Sequence, residues 1–327
     1  MVSDRANAIC IFAILKEYSD EEHILSMRDI ISKMKILYDS AIDRRTVYSA
    51  ISLLKDGLGY EISVYEENKQ GYYLQERELE SSEVRLLMDA VYAFDGIPQR
   101  QSEMLIEKLQ KFLSCHQRKQ YRNLKIVRKE KRTPNKSVFL TIDMLDEAIS
   151  QKVQVEFTYL HYNLEKKLIP KRNLRYFVNP YALVFANGHY YLACTYDGYE
   201  DISYYRVDKI CDVKILDTEV VKPFKTDSDL KAFNQKHVYM FTPGVSSVKI
   251  RCHNVVLDDV IEEFGKDIAL QVDDQEHFIV TLKHSPGGLT FWLLQYLQYC
   301  EVIEPKQLRK EIVQIIQENK YNEAKNV

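Results

Sequence analysis

Apolar positions in the first 75 residues recur three times at helical spacing and then give way to short extended runs. Ile9, Phe12 and Ala13 share one face of a helix predicted over Arg5–Glu17. A second helix opens at Ser26, where Ser26 and Asp29 fit the S-x-x-D capping pattern, and Ile30, Ile31 and Met34 continue its apolar side. A third begins near Asp43, a good N-cap, and turns Val47, Ala50, Ile51 and Leu54 inward before Gly57 stops it. Tyr60–Tyr65 and Gly71–Leu74 then read as the strands of a hairpin, with Glu66–Gln70 as its polar tip.

Residues 78–136 return to helical spacing. Ser82 precedes Val84, Leu87, Met88 and Val91; Gly96–Pro98 breaks the run, and Ser102–Leu113 forms a second amphipathic stretch. Arg118–Lys136 follows with nine basic residues and one acid, either a solvated face or a contact for flanking phosphates. Thr133–Pro134–Asn135 marks a boundary.

From 137 to 222 the period becomes two. One short helix, Phe139–Ser150, precedes strand-like segments at Val153–Tyr159, Glu165–Pro170, Arg175–Pro180, Ala182–Phe185, His189–Tyr196, Asp201–Arg206 and Ile210–Asp217. Turn signals at Asn187–Gly188 and Asp197–Gly198 separate some of them, and such short strands predict a small β-barrel. Residues 223–327 predict an α+β sandwich: strands at Val248–Cys252 and Phe278–Leu282, helices at Val255–Phe264, Leu289–Gln298 and Pro305–Glu318. The chain therefore reads as an α+β multidomain protein: a winged helix-turn-helix over 1–77, a helical linker over 78–136, a β-barrel over 137–222 and an α+β domain over 223–327.

Composition narrows the chemistry. Only ten of 327 residues are glycine and 23 are tyrosine, which argues against enzymes built on Gly-rich phosphate loops. A net charge of −3 excludes a polycation that coats nucleic acid by charge alone. The early apolar run Ala8–Leu15 is too short to span a bilayer and reads as a buried helix. The six cysteines and eight histidines are dispersed, with no C-x-x-C and no H-E-x-x-H. They predict reduced thiols in a cytoplasmic protein, with no metal and no cofactor.

In the head, three helices and a wing occur in the order of a DNA reader. The third helix offers Arg44, Arg45, Thr46, Tyr48 and Ser49 near its N-terminal end, the part of a recognition helix that reaches base edges, and Arg pairs bidentately with guanine. Lys69 in the wing is placed to touch backbone or minor groove. The bland alternative makes the arginines a solvated face of a small bundle. Residues 1–60 hold eight basic and nine acidic residues, so the head is not basic overall. Its non-specific affinity for duplex is expected to be weak, and pairing two half-sites in a homodimer would offset that.

The middle segment carries Asn179-Pro-Tyr-Ala-Leu-Val184, Asn187-Gly-His-Tyr-Tyr-Leu192 and Tyr204-Tyr-Arg-Val-Asp-Lys-Ile210. These resemble the WYL-domain transcriptional regulators, with Tyr190-Tyr191-Leu192 at the Trp-Tyr-Leu triplet. An indole N–H donor is thus replaced by a phenol. Val260-Ile-Glu-Glu-Phe-Gly265, Trp292-Leu and Pro305-Lys-Gln-Leu-Arg309 resemble the extension domain that follows such barrels. The resemblance covers nearly the whole chain. It implies a dimeric DNA-binding regulator whose Sm/SH3-like barrel senses an effector, for which nucleic-acid ligands have been proposed.

Strand periodicity makes an effector site physically reasonable. Over Ser203–Val207, Tyr204 and Arg206 share one face and Tyr205 and Val207 the other; Tyr191 likewise opposes Tyr190 and Leu192. Arg206 has a rigid donor fork suited to phosphate or carboxylate, and tyrosines beside it offer stacking surfaces. The candidate effector set is Tyr181, His189, Tyr190, Tyr191, Tyr204, Arg206 and Asp208, with His161 and Arg175 as weaker candidates. Asp208 is a ligand acceptor or the ion-pair partner of Arg206 or Lys209; Tyr181, Tyr191 and Leu192 can equally be barrel core. The leading expectation is a non-enzymatic regulator that binds double-stranded DNA and an effector such as a nucleotide or single-stranded nucleic acid, away from membranes. The alternatives are an RNA- or single-strand-binding regulatory protein, and a DNA-binding head joined to an enzymatic barrel using Cys194, Cys211, His161 or His189.

Overall fold

The computed structural model describes residues 4–121, 132–186, 188–199, 202–220 and 246–319. The chain divides into two compact units, Met1–Pro134 and Asn135–Val327.

In the first unit, α1 (Asp4–Tyr18), α2 (Met27–Tyr38) and α3 (Arg44–Ser52) enclose one core. Ile11, Ile14, Leu15, Ile30, Met34, Val47, Ile51 and Leu54 are all buried in it. Ser26 and Asp29 form a reciprocal capping box on α2, and Asp43 caps α3. The predicted hairpin is present but short. Strand β1 (Ile62–Ser63) pairs antiparallel with β2 (Tyr73–Leu74), and the polar tip folds into a helical turn, α4 (Tyr65–Asn68). Leu25 and Tyr72 exchange backbone hydrogen bonds at 2.9 and 2.8 Å, tying the wing to the segment before α2. A Cβ on Gly71 would lie 2.2 Å from the Leu25 carbonyl oxygen, so only glycine allows this approach.

Helices α5 (Ser81–Ala93), α6 (Gln99–Leu109) and α7 (Cys115–Gln120) pack around Val84, Met88, Ile106 and Leu113. They are fastened to the head by polar contacts. Arg77 donates to the Ser19 carbonyl at 2.6 Å, and the Ser114 hydroxyl donates to the buried Asp20 carboxylate at 2.5 Å. Arg118 pairs with Glu17, and His23 stacks on His116 with ring centroids 3.7 Å apart. Most of the basic run at Arg118–Lys136 lies outside the described residues. Two described members are neither a solvated face nor aimed at phosphate: Arg118 is in that ion pair, and Arg132 is buried, donating to the carbonyls of Val91, Tyr92, Phe94 and Ile97. A buried cation against the carbonyls at the end of α5 satisfies groups the helix leaves unpaired and complements its dipole.

The second unit opens with α8 (Val138–Gln151), followed by β3 (Val153–Tyr162), β4 (Leu168–Pro170), β5 (Tyr176–Ala186), β6 (His189–Tyr196), β7 (Ser203–Arg206) and β8 (Ile210–Glu219). The antiparallel order is β8-β3-β5-β6-β7, with β4 on the outer end of β3. A 3-10 turn, Val207–Lys209, carries the chain from β7 to β8, so the curved sheet bends back on itself as in Sm/SH3-like barrels. Leu145, Ala148, Val155, Phe157, Val178, Leu192, Cys194, Val207 and Ile210 fill the interior. Two predicted strands, Arg175–Pro180 and Ala182–Phe185, are one: β5 runs through Pro180 with a register shift between Pro180 and Ala182. A bulge is a place where a sheet tolerates proline, which lacks a ladder donor.

The C-terminal part runs β9 (Ser246–His253), α9 (Leu257–Phe264), β10 (Ala269–Val272), β11 (His277–His284), α10 (Pro286–Gln295), β12 (Cys300–Glu304) and α11 (Lys306–Gln317). The antiparallel sheet has the order β10-β11-β9-β12, the arrangement of a ferredoxin-like βαββαβ unit with one added helix. Trp292 is almost fully buried and packs edge-on to Phe264. Strands β10 and β12 go beyond the sequence expectation. Every residue of β10 is exposed, so it shows no alternation; β12 follows an apolar helix after a four-residue turn, and the helical period conceals it. Among the described residues, no helix is long and apolar enough to cross a membrane.

Candidate functional site

Strands β6 and β7 place the barrel's candidate residues on two different faces. Tyr191 pairs with Arg206 and Ala193 with Tyr204, so all four side chains share one face. Tyr191 and Tyr204 pack there against Val184 and Ala193. The other face carries Tyr190, Leu192, Tyr196 and Tyr205 into the barrel core, with Tyr190 edge-on to Phe185 at 5.0 Å. Leu192 is fully buried, while Tyr191 is half-buried at the rim of the Arg206 face.

Arg206 is the organising group. Its Nε donates to Asp208 Oδ1 at 3.0 Å and its Nη2 to Asp208 Oδ2 at 2.8 Å, a two-point clasp. Nη2 also lies 3.2 Å from Nδ1 of His189. The Arg206 side chain is 30% exposed and that of Asp208 only 8%, so the acid sits behind the base. Nη1 has no hydrogen-bond partner among the described residues. Burial works against the guanidinium charge, but the Asp208 hydrogen bonds and charge outweigh it and hold the Arg206 pKa above its ordinary value. Burial is also the main reason that the Tyr191 and Tyr159 hydroxyls titrate above the ordinary tyrosine value; the Arg206 charge pulls each of them down in part.

The structure thus brings Tyr191, His189, Arg206 and Asp208 together, with Tyr204 along the same face. It does not bring Tyr181 or Tyr190 to them. The Tyr181 hydroxyl is 2.9 Å from that of Thr195, four residues along β6 from Tyr191. Asp208 serves Arg206 with both oxygens, the ion pair that is one of its two sequence readings. His161 lies exposed in the β3–β4 hairpin, and Arg175 pairs with Glu156 at 3.0 Å; both stand apart from this cluster.

Two neighbours stood outside the candidate effector set, Lys209 having been named only as a partner for Asp208. Tyr159 sits on β3 opposite Ile210, with its ring edge-on to Tyr205 at 4.9 Å. Lys209 is half-buried, its ammonium 5.9 Å from the Tyr162 ring centroid; burial, then the Arg206 charge, lowers its pKa. The available signal was the adjacency of Lys209 to Asp208. Nothing along the sequence announces Tyr159, which reaches the site only through the β3–β8 pairing.

In the first unit, α3 exposes Arg44, Arg45, Tyr48 and Ser49, while Val47, Ala50 and Ile51 face the core. Thr46 differs from expectation. Both its backbone N–H and its hydroxyl donate to Asp43 Oδ1 at 2.8 Å, so this side chain completes the helix cap. Tyr48 is 51% exposed and shares a hydrogen bond with Tyr72 of the wing. Lys69 has a left-handed backbone, and its ammonium donates to the Glu66 carbonyl at 2.8 Å, closing the wing tip on itself.

The cysteines are not all scattered. Cys252 on β9 and Cys300 on β12 are directly opposed, with their sulfurs 3.5 Å apart in the core of the C-terminal sheet. Among the described residues, no group of three or more His, Cys, Asp or Glu side chains is placed to hold a metal ion.

Comparison with known proteins places these features in a family. The family model of the WYL domain matches residues 141–215, and that of the WCX domain matches residues 245–318. No curated protein matches the chain. Among solved structures, proteasome accessory factor B/C (PafBC) of Arthrobacter aurescens is 13% identical, with a TM-score of 0.28 over 97% of this chain and 48% of that one. The chain therefore spans about half the length of the PafBC chain. A CRISPR Cas-related protein is 12% identical, with a TM-score of 0.37 over 96% of this chain and 90% of that one. The chain thus carries a WYL domain over 141–215 and a WCX domain over 245–318, the domain content of a WYL-type regulator.

Proposed function

We propose that the protein is a DNA-binding transcriptional regulator whose WYL barrel binds an anionic effector and controls operator binding by the head. The observation that carries the DNA reading is the split of α3: Arg44, Arg45, Tyr48 and Ser49 face solvent together while Val47, Ala50 and Ile51 are buried. A capped helix with two arginines at its outward N-terminal end fits the major groove and the guanine edge. The effector reading is supported by Arg206, a half-exposed guanidinium backed by a buried carboxylate and flanked by Tyr191 and His189. That set favours a phosphate with a stackable base: a nucleotide or a single-stranded nucleic acid. The protein acts by binding rather than catalysis, as a cytoplasmic homodimer on paired half-sites.

A second reading keeps single-strand or RNA binding and gives the head a protein-contact role. It is favoured by the head's near-neutral charge, eight basic and nine acidic residues over 1–60. One titration separates the two. Purified protein is presented with duplex DNA from upstream of its own gene, a scrambled duplex and single strands, at several salt concentrations. The regulator reading expects selective duplex binding with a log-linear salt dependence. Single-strand binding with no duplex preference favours the second reading.

A further inference from the structure

The turn Val207–Lys209 holds a cation that the Arg206–Asp208 clasp does not use. Lys209 is half-buried, and among the described residues its ammonium has no hydrogen bond and no ion pair; it lies 5.9 Å from the centroid of the Tyr162 ring. Asp208 beside it is taken by Arg206 with both oxygens. Lys171 is exposed, and its ammonium likewise has no partner among the described residues. Burial, then the charge of Arg206 and after it that of Lys171, holds the Lys209 pKa below its ordinary value, and Asp208 opposes this only in part. An ammonium drawn partly out of water among like charges, with no acceptor, costs free energy that an arriving anion offsets.

Tyr159 sets the spacing of these cations. Its main-chain carbonyl accepts the Lys171 N–H at 2.8 Å, and it stands opposite Ile210, the residue after Lys209. Its hydroxyl, at the far end of the ring, accepts the Arg206 main-chain N–H. Arg206 and Lys171 therefore lie at opposite ends of one tyrosine, and the turn that carries Lys209 runs from one end to the other. Three cations spread over this length against one carboxylate leave two positive charges unanswered. Aromatic rings alternate with them: Tyr191 across the ladder from Arg206, and Tyr162, 47% exposed, beside Lys209. The phosphate of a mononucleotide, or the adjoining phosphates of a nucleoside polyphosphate, would be met best by cations that converge on one point. Cations strung out with rings between them match the successive phosphates and bases of a strand.

We propose that Lys209 and Lys171, with Tyr162, form a second phosphate-and-base subsite beside Arg206 and Tyr191, so that the effector is a single-stranded nucleic acid with successive phosphates rather than a mononucleotide. The proposal rests on the reading of Arg206 as the effector contact and narrows it.

The test is calorimetric titration of the full chain with AMP, ADP, and 5′-phosphorylated di- and tetra-adenylate in both ribose and deoxyribose forms, which tell RNA from DNA. The dinucleotide is expected to bind about tenfold tighter than AMP, as one added charge-assisted contact allows, and ADP no more than about threefold tighter. Lys209→Met keeps the apolar stem and removes the charge; Lys171→Met, at an exposed position, serves should the first fail to fold. Each is expected to remove most of the dinucleotide's advantage and leave AMP binding within about twofold. Each should also make the slope of log affinity against log salt for the tetranucleotide shallower by about 0.7, the value for one phosphate contact to a single strand. Unchanged dinucleotide affinity and salt slope in both variants overturns the proposal, as does ADP binding as tightly as the dinucleotide, or no binding of any adenylate by the parent. The reading of Arg206 is scored separately by Arg206→Ala: if this variant binds AMP as well as the parent, Arg206 is not the effector contact, while the lysine subsite stands or falls by its own variants.

Discussion

Arg206 stands directly across the β6–β7 ladder from Tyr191, and Asp208, two residues further on, clasps it from behind with both carboxylate oxygens. The guanidinium is thereby fixed in orientation on the face it shares with Tyr191. A lysine at this position has a single ammonium that cannot reproduce the two-point contact. Arg206→Lys is expected to weaken binding of a short single-stranded oligonucleotide by about tenfold, equivalent to the roughly 1.5 kcal/mol of a modest charge-assisted hydrogen bond. Tyr191→Ala should cost about 1–3 kcal/mol through lost stacking, and Tyr191→Phe much less. Fluorescence anisotropy checks the series; equal affinity in Arg206→Lys and the parent would place the effector elsewhere.

Arg45 is exposed on α3, whereas Thr46 beside it donates to the Asp43 cap. Arg45→Ala is expected to weaken specific duplex binding by about 1–3 kcal/mol and to relax preference at one base position. Thr46→Ala should instead reduce the stability of the head by roughly 1 kcal/mol, with little change in which base is preferred. A gel-shift panel of single-base operator variants, alongside thermal melts, separates the two effects. A loss of base preference in Thr46→Ala would return that side chain to the interface.

Arg132 offers a stability prediction of a different kind. Its guanidinium serves four main-chain carbonyls in a buried position. Arg132→Met keeps the length of the side chain and removes every donor. The expected cost to the first unit is about 3 kcal/mol, because the carbonyls in the last turn of α5 and just beyond it lose this donor. Denaturant unfolding measures it; a loss within error of zero would mean that water replaces the guanidinium.

Acid should loosen the first unit in two stages. Burial, then the His23 charge beside it, holds the His116 pKa below its ordinary 6.5, although the Asp20 charge partly opposes this. The unfolded chain therefore binds the extra proton first, and stability begins to fall as pH drops below 6.5. Asp20 titrates below its ordinary 3.8: burial opposes this, but hydrogen bonds from Ser114 and His23 outweigh it. Its contribution is present above pH 3.8 and is lost as pH falls through the lower folded value. Melting temperature against pH should show both stages, and His116→Gln should remove only the upper one. A single transition below pH 4 in the parent protein would exclude His116 from the first.

The head was legible because its signals are local. Ser26 with Asp29, the cap at Asp43, and the spacing of Val47, Ala50 and Ile51 each lie within a few residues. The barrel's two faces were legible for the same reason, since alternation puts Tyr204 with Arg206 and Tyr205 with Leu192. What escaped depends on chain segments far apart. Asn135 meets Asp208 across 73 positions, Ser114 meets Asp20 across 94, and Cys252 faces Cys300 only because β12 returns beside β9. The exposed strand β10 escaped because an edge with no buried side chain has no hydrophobic period to read.

The Asp43 cap also bears on how the protein would search a chromosome. A carboxylate already occupies the positive end of α3, so that helix end has little attraction left for a phosphate. With few counterions to release, each copy would hold random duplex only briefly, and residence would come from base edges read by both copies at once. On the proposed reading, a head built this way would spend little time on the wrong sequence, and its occupancy would follow whatever sets the geometry between two copies.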